Sequence, residues 1–464
     1  MFNLSYIFFN EASLRERFSN MTITRRNLLA SILVLDFFFK LVTAYLLALN
    51  AGQPILVYLS MLGSYALVLP TFIIVALGSK ISLTQKNVNY DVSQVFEIYC
   101  FLTFFYLLSW MVFGLLIGHH PKDALGSTLR AVLPFMIILI SLISLPQSMP
   151  EENYKYLRKI INIFAIVCAI LIFGKITLLI QGISYGGGMN QFRAPAFIFP
   201  LTIIMLTSPF IKRFKKYILS IVLILISILI ILSFKRGAWL DLILMLFLTL
   251  MAMKGKVRFY AVIVALLLLA VLYYVLSLSG YDELIIRRFE QTFSNSDNLG
   301  SFDLRSLDKS SYTRVAEIIS AIGTLDGVGV IGWLTGLGPG AGYTDSIGFG
   351  LKGFNEYGQL YHIHSGAMLI IFRYGLIGFA LYVVPVFIAV KLFFYFSRAL
   401  RRAKSKDSFL IVALGLSCSI VLIKQPLALM TSNAIFGSVE YGYVVALLLL
   451  CKKLTETPRD VTSN

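Results

Sequence analysis

Charged residues are scarce in this 464-residue chain, where Asp, Glu, Lys and Arg make up only 14%. A typical soluble protein has about 25%. Hydrophobic residues reach 58%, above the roughly 45–50% of soluble chains. Heptad seams and repeats on the scale of about 20–50 residues are also missing, which excludes a coiled coil or a solenoid. The composition predicts an all-α, polytopic membrane protein.

Several motifs of soluble enzymes are missing as well. The chain has no D-x-D or E-x-D pair, no P-loop and no G-x-G-x-x-G after a predicted strand. Its G-x-S-x-G match, at 182–186, follows a predicted membrane span and not a strand, so it predicts no nucleophile elbow. Its four cysteines lie in apolar runs without C-x-x-C spacing, so they are expected to be buried small hydrophobes: Cys100, Cys168, Cys418 and Cys451. We therefore expect no metal site and no cofactor.

Long apolar runs dominate what is present. A helix needs about 20 apolar residues to cross a bilayer, and runs of about that length predict twelve spans: 28–49, 54–78, 98–118, 127–146, 160–181, 194–211, 217–233, 238–253, 259–279, 365–396, 408–427 and 434–451. These limits give a helical membrane bundle with one large extracytoplasmic loop. The predicted parts are an N-terminal membrane bundle of about nine spans (1–279), the loop (280–364), and C-terminal membrane helices with a cytoplasmic tail (365–464).

The net charge of +17 follows from this topology. Most of the 40 Lys and Arg residues fall in alternate connections, and positive residues stay on the cytoplasmic side. Both termini are therefore expected to be cytoplasmic. The positive charge sets the orientation of the chain, and we expect no nucleic acid partner.

The large loop is the main soluble surface outside the cytoplasm. Residues 308–325 predict an amphipathic helix, and Gly332 to Gly350 a glycine-punctuated loop. This segment either handles a substrate or only shields the bundle.

Four arginines break the positive-inside pattern: Arg193, Arg236, Arg314 and, near the outer end of the tenth span, Arg373. Each could cap a helix end or extend towards lipid head groups. Together they favour an anionic ligand, because a guanidinium fork matches phosphate geometry. The cluster predicts a diphosphate site at the outer surface of the membrane.

Histidine is rare, with four in the chain. His119 and His120 precede a proline in a short outer loop and are interpreted as solvated turn residues. His362 and His364 stand where the large loop meets the membrane. An imidazole there could take a proton from a sugar hydroxyl near neutral pH, or simply be a polar residue at a helix start.

Four segments within about residues 185–396 resemble the O-antigen polymerase and O-antigen ligase superfamily of bacterial surface-polysaccharide enzymes, which have GT-C-like membrane folds. They are SFKRGAWLDLILML, SYTRVAEIISAIGTL with GWLTGLGPGAGY, HSGAMLIIFRYGLIGFALY, and FRAPAFIFP. The third segment places the family's histidine on His364 and not on His362.

The resemblance implies an inverting, metal-independent glycosyl transfer at the periplasmic face of the bacterial inner membrane. The donor and acceptor would be oligosaccharides on undecaprenyl diphosphate. Arg236 and Arg314 would hold the diphosphate and stabilise it as the leaving group, while His364 would orient or deprotonate the acceptor hydroxyl. Substrate-binding residues are predicted around them: Arg193, Lys235, Gly338, Gly340, Tyr343, His362 and Arg373.

The leading prediction is a polymerase that joins lipid-linked repeat units, with membrane lipid and a chain-length regulator as candidate partners. One alternative is an O-antigen ligase that moves glycan onto the lipid A core. A different class is a twelve-helix transporter or lipid flippase, in which Lys175 and Asp241 could line a path.

Overall fold

The computed structural model describes residues 92–119, 121–144, 196–231, 236–253, 309–345, 359–361, 363–431 and 439–456, with a few more between 255 and 262. Three of the predicted spans, 28–49, 54–78 and 160–181, lie outside these residues, as does nearly all of 259–279. The same is true of Lys175.

All regular secondary structure in these ranges is helical, as predicted, and they contain no strand. The helices are α1 (Val92–Leu116), α2 (Pro121–Ser144), α3 (Ile198–Leu206), α4 (Arg213–Ile231), α5 (Arg236–Ala252), α6 (Lys309–Val328), α7 (Val330–Thr335), α8 (Gly366–Arg402), α9 (Lys406–Ile423), α10 (Gln425–Thr431) and α11 (Val439–Glu456).

Two described segments are long and apolar enough to cross a membrane, namely α8 and the stretch Lys406–Leu427, which joins α9 to the start of α10. Shorter apolar helical segments are Leu102–Leu116, Ala124–Leu139 and Leu240–Ala252. Helix α3 has nine residues, so it is about 14 Å long and ends well before the predicted limit of its span.

The chain divides into two compact units, Met1–Ile98 with Met136–Phe192, and Tyr99–Phe135 with Arg193–Asn464. Most of the described residues belong to the second unit. Within it, α9 packs against α8 and α11, and the rings of Tyr382 and Tyr441 stack at 5.2 Å between centroids. The described cysteines are buried and form no disulfide, as expected: Cys100, Cys418 and Cys451.

Helix α8 is interrupted at Gly375, where φ is 68° and ψ is −176°. Three carbonyls before the interruption, which a continuous helix would use internally, accept hydrogen bonds from other elements: Phe372 O from Leu337 N–H at 2.8 Å, Arg373 O from Gly338 N–H at 3.0 Å, and Tyr374 O from the Tyr106 hydroxyl at 2.7 Å. The predicted span 365–396 is therefore not continuous, because its first two turns form a separate helical segment.

The residues Gly336 to Gly342, here called the glycine loop, run between α7 and an isolated β-bridge of Tyr343 with Leu360. The predicted loop from Gly332 to Gly350 begins later than expected, because its first residues form α7. Gly336 has φ 75°, and a Cβ on it would lie 2.5 Å from backbone atoms of Arg373, Tyr374 and Gly375. This contact requires glycine, since the loop passes directly over the interruption in α8.

Candidate functional site

His364 and Glu317 form an acid–base pair at the start of α8. The Glu317 carboxylate accepts hydrogen bonds from His364 Nδ1, at 2.8 Å to Oε1 and 3.0 Å to Oε2. Its Oε2 also accepts from the backbone N–H of His364 at 2.8 Å. The side chain of Glu317 is 7% exposed and that of His364 is 45% exposed. A buried acid thus holds a half-exposed imidazole through both its ring and its backbone.

The contact determines which ring nitrogen of His364 is basic. A carboxylate only accepts hydrogen bonds, so the Nδ1 that faces it carries a proton. In the neutral imidazole the lone pair is then on Nε2, on the opposite edge of the ring. A buried carboxylate that orients a histidine in this way also stabilises the imidazolium that forms when Nε2 takes a proton.

Glu317 was not among the residues predicted from the sequence. It lies on α6, whose buried residues recur at helical spacing, namely Ala316, Glu317, Ser320, Ala321 and Leu325. Buried carboxylates are rare unless they are paired, so a glutamate in the apolar face of this helix was the available signal. Its partner is 47 positions away in the chain, which local spacing cannot identify.

Arg314 lies on α6 three residues before Glu317 and is half-buried. Residues three apart in a helix are neighbours on its surface. The predicted catalytic arginine and the carboxylate that holds the predicted catalytic histidine are therefore on the same side of α6.

Arg373 uses its guanidinium for contacts inside the protein. Its Nη1 donates to the Ser127 hydroxyl at 2.8 Å and its Nη2 to the Tyr361 carbonyl at 3.0 Å. These bonds join the first segment of α8 to α2 and to the residue just before the predicted site residue His362. Both terminal guanidinium nitrogens of Arg373 therefore make contacts within the protein. Its role in substrate binding stays a prediction.

The predicted site residues Gly338, Gly340 and Tyr343 lie in well-packed surroundings. A Cβ on Gly338 would meet Gly114 of α1 at 3.3 Å, and one on Gly340 would meet Ala124 of α2 at 3.0 Å. Tyr343 is buried and its ring lies 5.9 Å from that of Phe372. Their substrate contacts stay predictions, but each has a packing role.

The Tyr343 phenol belongs to the surroundings of the acid–base pair. Burial raises its pKa well above the usual range, and the negative charges of Glu317 and Asp345 raise it further. The phenol therefore stays protonated at physiological pH.

The remaining predicted residues lie at the edge of what the structure describes. Arg236 is the first residue of α5, but the structure describes only its backbone. Arg193, Lys235 and His362 lie outside the described residues altogether. Their assignments stay predictions.

A second pair of charged residues joins α5 to the end of α9. Lys424 Nζ donates to Asp241 Oδ2 at 2.9 Å, with the two side chains 10% and 21% exposed. The other carboxylate oxygen of Asp241, Oδ1, is buried without a hydrogen-bond partner. Asp241 is therefore engaged by Lys424, which the sequence interpretation did not pair with it.

His119 is not the solvated turn residue that was predicted. Its Nδ1 lies 3.0 Å from the carbonyl of Pro339 in the glycine loop, so Nδ1 carries the proton here too. The residue links the end of α1 to that loop.

Within the described ranges, no group of three His, Cys, Asp or Glu side chains is placed to hold a metal ion. Comparison of the chain with protein-family models and with curated proteins finds no match.

Proposed function

We propose that this chain is a glycosyltransferase of the bacterial inner membrane that joins undecaprenyl-diphosphate-linked repeat units at the periplasmic face, as a surface-polysaccharide polymerase. The observation that carries the proposal is the pairing of His364 with the buried Glu317. It supplies an oriented base beside an arginine-bearing helix. The lipid-linked donor comes from the resemblance of the four motif segments to the O-antigen polymerase and ligase superfamily.

Exposed apolar faces support a membrane location. On α5 the exposed residues Leu240, Ile243, Phe247 and Met251 recur every three or four positions and so form one face. On α8 the exposed residues Leu376, Phe387 and Phe394 lie on one face in the same way. Contiguous apolar surface of this extent is unusual on a soluble monomer, and hydrocarbon is the solvent that suits it.

The twelve-span arrangement with cytoplasmic termini is part of the proposal. Helices α8 and α9 run in opposite directions and are joined by three residues that follow the basic end of α8. Their basic junction suits the cytoplasmic side, which would put His364, at the other end of α8, on the periplasmic side.

The proposed reaction uses His364 Nε2 as the general base. The acceptor hydroxyl oxygen attacks the anomeric carbon of the donor sugar from the face opposite the diphosphate. Its proton passes to Nε2 as the new glycosidic bond forms. The bond from the anomeric carbon to the diphosphate oxygen breaks, and undecaprenyl diphosphate leaves with the electron pair. The Glu317 carboxylate stabilises the imidazolium.

Arginines would offset the charge that develops on the leaving group. Fixed donors aimed at a developing negative charge lower the barrier most effectively in a site that excludes bulk water. Arg314 is assigned this role because it lies one turn from Glu317 on α6. Arg236, at the start of α5, is its proposed partner.

The test is complementation of a strain that lacks the gene, with the length of its surface polysaccharide chains as the readout. The sharpest variant is His364→Asn, because an asparagine amide N–H can still donate to Glu317 in place of Nδ1, while the basic Nε2 is lost. We expect a loss of chain extension of about 10²–10⁴-fold, the usual contribution of a general base, with normal protein abundance in the membrane. His364→Ala should fail as well.

A matched control is His119→Ala, which removes the hydrogen bond to Pro339 and should restore chains. Near-normal chains with His364→Asn would refute the proposed base. In the deletion strain, a single repeat left on lipid A supports the polymerase. Full-length glycan accumulating on undecaprenyl diphosphate would instead identify a ligase, and failure of the purified protein to transfer sugar would favour a transporter.

A further inference from the structure

The short helix α7 presents an apolar face that none of the described residues covers. Val330 is 74% exposed and Ile331 is 72% exposed. Leu334, one turn later, is also exposed, whereas Gly332 faces inwards and is buried. With Val328 at the end of α6, these residues form an outward patch that we call the α7 patch.

The segment around this patch carries no charge. Between Asp326 and Asp345 the chain has no Asp, Glu, Lys, Arg or His, in a loop that is otherwise rich in charged residues. Moving the α7 patch out of water therefore would not require burying an ion, which would be costly.

Trp333 adds an amphipathic side chain beside the patch. It is half-buried, and its indole N–H donates to the exposed carboxylate of Asp326 at 2.8 Å. A tryptophan with an apolar ring and a hydrated polar end is typical of the boundary between hydrocarbon and water.

The α7 patch continues the apolar face of α8. Leu334 lies against the interruption in α8, since a Cβ on Gly375 would collide with the Leu334 carbonyl. Immediately after the interruption, Leu376 and Ile377 are exposed, and they begin the face that Phe387 and Phe394 extend. A single apolar surface thus runs from α7 onto the part of α8 assigned above to lipid.

We propose that the α7 patch is seated in the outer leaflet of the membrane, with Val330, Ile331 and Leu334 in contact with acyl chains and Trp333 at the level of the head groups. The occupant of the patch is lipid, because the patch is uncharged and continuous with the face of a helix long enough to span a bilayer. This inference rests on the membrane location proposed above. It adds that the large loop is anchored to the bilayer at the corner where α6, α7 and the interruption in α8 meet.

The test measures the depth of Trp333 by fluorescence. The chain has three tryptophans, so W110F/W239F leaves Trp333 as the single emitter. The protein is reconstituted in phosphatidylcholine vesicles that contain lipids brominated at carbons near the head group or deep in the acyl chain. We expect strong quenching by the shallow bromines, weaker quenching by the deep ones, and little quenching by aqueous acrylamide. Acrylamide quenching equal to that of a free tryptophan analogue, without bromolipid quenching, would overturn the proposal.

Two controls separate the possible failures. A protein whose only tryptophan is introduced by Phe387→Trp, on the exposed face of α8, with W110F, W239F and W333F, should be quenched by the deep bromines wherever α7 lies. Its failure would count against the membrane location itself. Ile331→Glu should weaken the bromolipid quenching of Trp333 and shift its emission to longer wavelength. Thr344→Glu, an exposed position outside the α7 patch, should change neither. If Ile331→Glu and Thr344→Glu have the same effect on the quenching of Trp333, the α7 patch does not contact lipid.

Discussion

Two acid–base pairs in this protein have nearly the same contact distance and opposite environments. His364 and Glu317 are 2.8 Å apart, and Lys424 and Asp241 are 2.9 Å apart. In the first pair the base is 45% exposed, whereas in the second the base is 10% exposed. The imidazole of the first pair is half-exposed, whereas the ammonium group of the second is largely buried beside an aspartate that is 21% exposed.

In the proposed function, this difference separates a reactive group from a structural one. A buried acid beside a half-exposed base orients that base for proton transfer. A largely buried pair stabilises the bundle only while both members are present, because a single buried charge lacks compensation. Distance alone would have ranked these two contacts as equivalent.

The strongest test of this comparison removes one member of the largely buried pair. Lys424→Met should lower the free energy of unfolding by about 3–5 kcal/mol, the usual cost of leaving a buried charge without its partner. The measurement is an unfolding titration of the protein in mixed micelles. The double variant D241N/K424M, which removes both charges, should recover most of that loss. A single variant as stable as the wild type would show that this pair is not a structural element.

A smaller effect is expected from Glu317→Gln at the first pair. Glutamine removes the negative charge and replaces one carboxylate oxygen with an amide NH₂, so the Nδ1–H of His364 keeps at most one of its two oxygen partners. The imidazole loses part of its orientation and its preference for the Nδ1–H tautomer. We expect transfer of lipid-linked repeat units in isolated membranes to fall on the order of 100-fold, the lower end of what a general base contributes, with little loss of protein.

The readout that separates positioning from folding is the split between kcat and KM, measured per amount of folded protein. Loss of the orienting carboxylate should lower kcat and kcat/KM by the same factor and leave KM nearly unchanged, as expected for an interaction that acts in the transition state. Ser320→Ala, a conservative change at a buried position one turn further along α6, should leave both constants unchanged. An unchanged kcat in Glu317→Gln would count against its role as a positioning residue.

The smallest of the three effects concerns Arg314. Arg314→Lys keeps the charge on α6 but removes the guanidinium fork, so transfer should fall about tenfold, equivalent to ~1.4 kcal/mol, if both arms contact the diphosphate. The measurement is the rate at a saturating concentration of lipid-linked substrate. Equal rates for the wild type and Arg314→Lys would show that the charge of the side chain matters and its guanidinium fork does not.

The sequence predicted the helices better than the contacts between them. The helix expected at 308–325 is present as Lys309–Val328, because its apolar spacing and the following Gly329 are local signals. The interruption at Gly375 was missed, since glycine also occurs inside membrane helices. It depends on Leu337 and Gly338, whose N–H groups occupy the carbonyls before the interruption.

The candidate site shows the same division. His364 was predicted from the sequence and Glu317 was not. Glu317 lies in an apolar helix face, and its partner is 47 positions away in the chain. The contact of His119 with Pro339 was also missed, as it joins positions 220 residues apart. Such pairings are set by packing across the fold, which one-dimensional patterns do not record.

The interruption at Gly375 also sets the length of the first segment of α8. Eleven residues of α6 separate Glu317 from its end at Val328, and nine residues of α8 separate the interruption from the helix start. At 1.5 Å per residue these helical segments are about 16 Å and about 14 Å long. In the proposed orientation, both segments would extend from the bilayer surface towards the imidazole. The proposed glycosyltransferase would then act on the acceptor hydroxyl that its own lipid-linked glycan carries to that distance from the membrane.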